Sequence, residues 1–309
     1  MGLHQAFLGV ELLDQEIRLA EVRGSGHEAS IAATAVHPLP PGLVQMGQVT
    51  DPAAVGQELR RTASEAGMRS RLGVLVTPDS RMLCRVLSLP PVRDRDLTGL
   101  VEYEVQERLH LPFPDPVWDY AALPRAKGDS ARTVMVTAAP REVVDGLTGA
   151  TAAAGLKPVA VDIAPLALRR MMLRVCPAEA LSAPYMVLRL VPGGFSLHIF
   201  QGSLLVYSRF VPTVELPAAP EKAASAVLGE VEQALRFYLY SLNGRDRPVA
   251  EIWLVDAGEG AGQMAERLSR SLDLPVHLLP GGALTEGLSS DVVNRCAVAI
   301  GLALKGVRA

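Results

Sequence analysis

A meander of three short strands is predicted twice in this chain of 309 residues, near its beginning and again beyond its middle. Apolar and polar residues alternate across residues 6–36 and again across residues 185–211, and tight turns interrupt both runs. After each meander come an amphipathic helix and an apolar strand, at 51–67 and 72–78 in the first half and at 221–242 and 251–256 in the second. A chain that repeats one order of elements is expected to form two similar lobes.

An insertion separates the two halves at residues 82–160. After an opening strand it contains an amphipathic helix over 94–109, for which Asp94 is the predicted cap. Two strands follow, joined by a polar loop over 124–131, and then a second helix over 140–155. The insertion is therefore predicted to be a small α-β-β-α subdomain.

The repeated order, three strands followed by helix, strand and helix, is that of the ribonuclease-H-like half-domain, which actin-like folds use in pairs. The predicted fold class is therefore α/β, a duplicated ribonuclease-H-like (actin-like) fold of two lobes with an α+β subdomain inserted in the first. The predicted first lobe comprises residues 1–81 plus 161–180, the subdomain 82–160 and the second lobe 183–309. The last helix, over 290–305, is a candidate to pack back on the first lobe.

Composition excludes several classes of function. The net charge of −3 gives no preference for nucleic acid, and no apolar run approaches the roughly 20 residues of a membrane span. The cysteines are far apart and outside any CxxC motif, which is typical of a reduced cytoplasmic protein: Cys84, Cys176 and Cys296. The histidines form no helical pair and no cysteine motif accompanies them, so no metal site is predicted.

Four stretches resemble the PilM family of type IV pilus assembly proteins, relatives of the cell-division protein FtsA in the actin-like superfamily. The most specific is "LSLPPVRDRDLTGLVEYEVQERLHLPFPDPVWDY" at 87–120, in the insertion. The others are "VQMGQVTDPAAVGQEL" at 44–59, "AGLKPVAVDIAPLALRR" at 154–170 and "GEVEQALRFY" at 229–238. The resemblance spans roughly residues 6 to 308.

In this superfamily, hairpin turns from both lobes hold the phosphates of ATP, and an Asp at the end of the first strand of each lobe holds Mg²⁺. The corresponding first stretch here is "GVELLDQEIR". Glu11 stands where Asp is expected, Leu13 where Gly is expected, and Asp14 and Glu16 where small polar residues are expected. A carboxylate 4 Å from a phosphate charge costs on the order of 4 kcal/mol at an effective dielectric constant of about 20.

In the second lobe the Asp position falls on Leu188 or Arg189, depending on a one-residue gap, and neither side chain ligates a cation. Gly193 and Gly194 keep a flexible turn, and glycines survive in the adenosine-side stretch "LVDAGEGAG". The residues expected to line this degenerate nucleotide cleft are Glu11, Leu13, Asp14, Arg189, Gly193, Gly194, Gly258 and Gly260.

These departures predict that ATP hydrolysis, and with it tight Mg·ATP binding, has been lost. No catalytic residue and no cofactor are therefore predicted. The alternative is that Glu11 replaces the Asp and that ATP binds without magnesium.

The resemblance implies a non-enzymatic cytoplasmic scaffold of a type IV pilus machine. Its implied partner is the cytoplasmic tail of the membrane protein PilN and, through PilN, the protein PilO and the pilus motor complex. The protein would then lie at the inner face of the cytoplasmic membrane, attached through its partner. Two alternatives are an active actin-like ATPase of the same machine and the cytoplasmic component of a type II secretion platform.

The resemblance also places the PilN tail in a groove between the first lobe and the inserted subdomain. Such a site captures an extended peptide through backbone hydrogen bonds and a few apolar pockets. The predicted contacts lie at the end of helix 94–109 and in the following loop, at Leu109, Leu111 and Phe113.

Overall fold

The computed structural model describes residues 5–123, 131–213, 220–242, 244–258 and 260–307. The predicted polar loop at 124–131 therefore lies outside the described residues, except for its last position.

Helices and strands follow one another along the chain in three groups. The first group is β1 (Phe7–Leu12), β2 (Glu16–Arg23), β3 (Ser30–Pro38), β4 (Val44–Gln45), β5 (Gln48–Val49), α1 (Pro52–Glu65) and β6 (Leu72–Thr77). The second is β7 (Leu83–Leu89), α2 (Asp94–Glu107), β8 (Pro116–Ala122), β9 (Arg132–Pro140), α3 (Arg141–Ala153), β10 (Lys157–Ile163) and α4 (Ala164–Val175). The third is β11 (Tyr185–Val191), β12 (Gly194–Gln201), β13 (Leu204–Pro212), α5 (Pro220–Ser241), β14 (Glu251–Val255), α6 (Ala261–Leu272), β15 (Val276–Leu278), α7 (Ser290–Arg295) and α8 (Ala297–Gly306).

Two five-stranded sheets have the same topology, in the orders β3-β2-β1-β6-β10 and β13-β12-β11-β14-β15. In each, an antiparallel meander forms one side and two parallel strands extend the other. Each sheet presents one face to a helix-covered core, which for the first lobe includes Leu8, Val10, Val55 and Leu59. The repeated strand order confirms the predicted duplicated, actin-like fold.

Helix α1 begins as the sequence predicts. The Asp51 carboxylate accepts hydrogen bonds from the backbone N–H groups of Ala53 and Ala54, both at 3.0 Å, and Pro52 occupies the first turn. The apolar stripe of the helix then packs beneath the first sheet, with Val55 and Leu59 fully buried.

The inserted region forms a three-stranded sheet in the order β7-β9-β8, covered on one face by α2. Val134 and Val136 of β9 pack there against Leu97 and Val101 of the helix. Asp94 does not act as the cap that the sequence predicts, because the helix already begins at this residue. Its carboxylate instead accepts a hydrogen bond from Arg132 Nη1 of β9 at 2.5 Å.

Helix α3 and strand β10 pack in the first lobe, whereas the sequence predicts α3 and the beginning of β10 within the insertion. Val143 and Leu147 of α3 share a buried cluster with Val55 of α1. The two helices approach so closely that a Cβ on Gly56 would lie 2.6 Å from the Cβ of Ala153. Strand β10 completes the first sheet beside β6. The separate sheet of the insertion is thus built from β7, β8 and β9.

The C-terminal segment is divided in two, whereas the sequence predicts one helix over 290–305. Cys296 has φ −96° and ψ 6°, outside the α-helical region, so it separates α7 from α8. Helix α8 packs between β1 and α4 of the first lobe, where a Cβ on Gly301 would lie 1.9 Å from the carbonyl oxygen of Ala167. Of the helices that the structure describes, not one is both long enough and apolar enough for a membrane span.

Candidate functional site

Five charged side chains from the two lobes meet in the cleft between them. Glu11 lies one residue before the end of β1, and Arg18 lies directly opposite it on β2, across the first hairpin. Asp79 follows β6, Arg189 lies on β11, and Asp256 follows β14 with a positive φ of 66°. All five side chains are at most 5% exposed, so they interact away from water.

Arg189 is the centre of this arrangement. Its Nη2 donates to Glu11 Oε1, its Nε donates to Asp256 Oδ2 at 3.2 Å, and its Nη1 lies 3.5 Å from Asp79 Oδ2. Its neighbour Leu188 points to the opposite face of the sheet, into the second lobe's apolar core. Of the two positions that the sequence leaves open, the structure therefore brings Arg189 to Glu11.

Arg18 extends the arrangement toward solvent. Its Nη1 donates to Asp256 Oδ2 and to the carbonyl oxygen of Arg295, the latter at 2.9 Å. Its Nη2 lies 2.6 Å from Glu16 Oε1, and Glu16 also accepts from Arg295 Nη2 at 2.6 Å. We call Glu11, Arg18, Asp79, Arg189 and Asp256 the interlobe network, because its ion pairs join strands of both lobes.

Burial shapes the protonation of the interlobe network. Loss of solvation raises the pKa of Glu11, although Arg189 and Arg18 partly offset this. Burial acts in the same direction on Asp79, but His198, Arg189 and the Ser196 hydroxyl outweigh it and lower the pKa of Asp79 from 3.8 to about 2. Burial also opposes the charge of both arginines, yet the surrounding carboxylates raise the pKa of each. Arg18 and Arg189 are therefore permanent cations in the cleft between the lobes.

The two turns that would hold phosphates have other structural roles. The Asp14 carboxylate accepts hydrogen bonds from the backbone N–H groups of Met46 and Gly47, at 2.7 and 2.8 Å. A Cβ on Gly194 would lie 2.3 Å from the carbonyl oxygen of Val211, so strand packing requires this glycine. Leu13 is half-buried at the cleft.

Gly193 and Gly258 have open space around them, and they share a positive φ with Gly260. Gly193, Gly258 and Gly260 have positive φ values of 83°, 63° and 79°. A Cβ added at Gly193 or Gly258 would meet no heavy atom within 4 Å. Gly260 precedes the first turn of α6. These three glycines, which the sequence analysis expects at a nucleotide cleft, thus keep glycine-type backbone conformations.

A cavity of about 490 Å³ lies in the cleft beside the network. Its walls include both hairpin turns, Glu11, Asp79 and Arg189, and apolar side chains of both lobes such as Val76 and Phe210. Gly258 and Gly260 do not line it.

A groove of about 210 Å³ separates the inserted sheet from the first lobe. The alternation of side chains along β8 and β9 places one face of this sheet toward it, with Val117, Asp119, Ala121, Met135, Thr137 and Ala139. Val161, Ile163 and Leu166 of β10 and α4 form the opposite wall. At its base, Lys305 Nζ lies 3.2 Å from Asp162 Oδ2. Both β8 and β10 are terminal strands of their described sheets.

Leu109, Leu111 and Phe113 do not line this groove. Leu109 and Leu111 pack against the cluster between α2 and the opposite face of the inserted sheet. Phe113 lines a separate cavity with Met82 and Arg141. The sequence analysis grouped the three residues because they are close along the chain. In the structure, the inserted sheet separates Leu109 and Leu111 from the groove.

Arg18, Asp79 and Asp256 were not singled out by the sequence analysis. Charged residues in or directly after apolar strands were the available signal, in "EIRLAEV", "VLVTPD" and "IWLVD". A charge in such a place needs a buried partner, which a prediction could have sought on neighbouring strands.

We expect Asp79→Asn to destabilise the protein by about 2 kcal/mol above pH 5, since the lowered pKa of Asp79 makes its charged form stabilising. The contribution is complete above the unfolded pKa of 3.8 and is lost as the pH falls toward about 2. Urea denaturation of both proteins between pH 6 and 3 measures the difference, which should narrow below about pH 4. Asp96→Asn, at an exposed position of α2, is the control; an equal loss in both variants would contradict the assignment.

The fold agrees with solved structures. The protein is similar to a structure described as the PilM–PilN type IV pilus biogenesis complex, with 25% identity and a TM-score of 0.80 over 97% of this chain and 98% of that one. It is also similar to the ethanolamine utilization protein EutJ from Carboxydothermus hydrogenoformans, with 13% identity and a TM-score of 0.51 over 97% and 89%. The second similarity concerns the fold alone.

The family comparison is more specific. Residues 9–211 match the family described as type IV pilus assembly protein PilM. This region runs from the first meander through the inserted sheet to the second meander. Because the match covers well over half of the chain, the protein belongs to the family of type IV pilus assembly protein PilM.

Proposed function

We propose that this protein is a scaffold of a type IV pilus machine that binds the cytoplasmic tail of PilN without hydrolysing ATP. The observation that carries the proposal is the groove between the inserted sheet and the first lobe, in a chain that matches the PilM–PilN complex over nearly its whole length. The tail would enter the groove as an extended segment.

The groove has the chemistry that an extended peptide needs. Strands β8 and β10 each have one edge without a neighbouring strand in the described sheets, so backbone N–H and C=O groups are available there. Val161 and Leu166 offer an apolar wall, and Thr137 stands half-buried opposite them. Asp119 adds an exposed carboxylate that would favour a basic residue in the tail.

The interlobe network supports the non-enzymatic part of the proposal. Magnesium-dependent hydrolysis requires carboxylates that face the metal and turns that receive phosphates. In this cleft Arg189 binds Glu11, and Asp14 is bound to a neighbouring turn. We propose that the protein therefore holds its lobes together by ion pairs instead of by Mg·ATP.

Attachment to the membrane would come from PilN. The tail would hold the scaffold at the inner face of the cytoplasmic membrane and connect it, through PilN, to PilO and the pilus motor. This arrangement uses the protein as an adaptor, with binding rather than catalysis as its activity.

Calorimetric titration of the whole protein tests both parts. We expect the PilN tail peptide to bind with one-to-one stoichiometry, and ATP to give no saturable heat with or without Mg²⁺. A scrambled peptide of the same composition is the control. Failure of the tail to bind would refute the scaffold role, and saturable Mg·ATP binding would refute the proposal that ion pairs replace Mg·ATP in the cleft.

A further inference from the structure

The cavity of about 490 Å³ in the cleft offers mainly apolar side chains to a bound molecule. Those that are half-buried or exposed come from both lobes: Leu13, Met46 and Pro78 from the first, and Val191, Pro192 and Phe210 from the second. The interlobe network contributes little surface, because the side chains of Glu11, Asp79 and Arg189 are at most 3% exposed. A ligand would therefore contact apolar groups of the two lobes rather than the buried ion pairs.

The charged side chains of this wall that do reach the surface are Asp14 and Arg81, and both hold the same turn. The Asp14 carboxylate accepts a hydrogen bond from the N–H group of Met46, and Arg81 Nε donates to the Met46 carbonyl oxygen at 3.0 Å. Their opposite charges offset each other around this turn. A charged ligand would lose water here without gaining a counter-charge of its own, so the wall favours a neutral ligand.

Met46 lies at the rim of the cavity in an unusual conformation. Its side chain is 73% exposed and its φ is 47°, in the left-handed region that residues other than glycine rarely adopt. Besides the bonds to Met46 itself, Asp14 accepts from the N–H group of Gly47 at 2.8 Å, and a Cβ on Gly47 would lie 2.6 Å from Pro78. The turn is thus fixed on both sides. Backbone strain of this kind is typical of residues that clamp a ligand.

We propose that the cavity binds a small, neutral, mainly apolar organic molecule, and that the flexible thioether of Met46 covers it. The volume lies within the range of about 300–1,000 Å³ that is usual for small-molecule sites. Such a ligand would contact both lobes beside the interlobe network. This binding goes beyond the scaffold role; it rests on the proposal that the cleft does not take Mg·ATP, but not on the binding of the PilN tail.

The same wall suits a nucleotide less well. The two hairpin turns that would hold its phosphates present Leu13 and Pro192 to the cavity. Neither side chain donates a hydrogen bond, and a proline has no backbone N–H group either. The Asp14 carboxylate in the first of these turns would also repel a phosphate.

The test compares ligands of similar shape and different charge on the whole protein. The uncharged fluorescent probe N-phenyl-1-naphthylamine is titrated at pH 7 and then displaced by 2-naphthol, 2-naphthoate or 2-naphthylmethylammonium. We expect saturable one-to-one binding of the probe. We also expect 2-naphthol to displace it at concentrations at least about tenfold lower than either charged analogue, since only the neutral one keeps its solvation cost small. Displacement by a charged analogue at equal or lower concentration, or binding that does not saturate, would overturn the proposal.

A pair of matched variants locates the site. Val191→Trp should weaken binding of the probe by at least about tenfold, because the indole would fill part of the cavity that half-buried Val191 lines. Val86→Trp is the control, since Val86 is 36% exposed on β7 and does not line this cavity. An equal loss in both variants would contradict the assignment. Urea denaturation verifies folding, and if Val191→Trp does not fold, the series of neutral and charged ligands on the unmodified protein decides.

Met46→Gly tests the cover. Glycine adopts a positive φ without strain, so the urea midpoint should stay unchanged or rise, whereas affinity for the probe should fall by about fivefold with the loss of the apolar contact. Unchanged affinity would refute the role of Met46. An ATP titration separates this inference from the proposed function: if neither the probe nor Mg·ATP binds, this inference alone fails, whereas saturable Mg·ATP binding contradicts the proposed function.

Discussion

Replacing Arg189 with methionine is expected to lower the free energy of unfolding by about 3–5 kcal/mol near pH 7. Methionine occupies similar space but has no charge, so Glu11 and Asp256 would be left with Arg18, and Asp79 with His198, whose Nε2 lies 3.9 Å from Asp79 Oδ2. Asp79 would lose the arginine that pairs with it, at a site where its side chain is 3% exposed.

Urea denaturation at pH 7 measures the effect of Arg189→Met. Arg270→Met is the matched control, because Arg270 pairs with Glu266 on the surface of α6 and is 69% exposed. Such surface pairs contribute at most about 1 kcal/mol. A loss below about 1 kcal/mol for Arg189→Met would refute the view that this arginine holds the lobes together.

The pH dependence gives a second criterion for Arg189→Met. Burial raises the pKa of Glu11, so its charged form destabilises the folded protein once the arginine is absent. Protonation removes that cost, and the deficit of the variant should shrink as the pH falls through the raised pKa of Glu11. Adding Glu11→Gln should recover part of the lost stability at pH 7, since one of the uncompensated charges is then gone.

The fold could be predicted from local signals. Alternation defines the meanders, and Asp51 and Pro52 define the beginning of α1. Local signals could not show whether α3 belongs to the first lobe or to the insertion, because its apolar stripe would suit the core of either one. The close approach at Gly56 and the buried cluster of Val143 and Leu147 with Val55 show that it packs on α1. The break at Cys296 likewise depends on tertiary packing, since its flanking segments read as one helix.

The candidate site was predicted less completely, because the residues that pair in it are far apart along the chain. The sequence identifies Glu11 and Arg189 as unsuited to Mg·ATP, but does not show that they bind each other across 178 positions. Asp14 was predicted to repel phosphate, and its contacts with Met46 and Gly47 could not be read from its neighbours. To predict an ion pair between the lobes, one would need to know the register of the strands in both sheets.

A tryptophan at position 137 is expected to abolish measurable binding of the PilN tail, with a loss of at least about 30-fold, or about 2 kcal/mol. Thr137 is half-buried on the groove face of β9, opposite Val161 and Leu166, and the indole would occupy much of a groove of only about 210 Å³. The larger side chain would project into open space, so the fold should tolerate it.

Thr133→Trp is the matched control for Thr137→Trp. Thr133 lies on the same face of β9 and is also half-buried, but it is about 13 Å along the strand and does not line the groove. Fluorescence anisotropy with a labelled PilN tail peptide measures both affinities, and urea denaturation verifies that both variants fold. If Thr137→Trp binds the tail as tightly as the unmodified protein, the tail does not occupy this groove. If both variants lose binding equally, the effect belongs to the inserted sheet as a whole rather than to the groove.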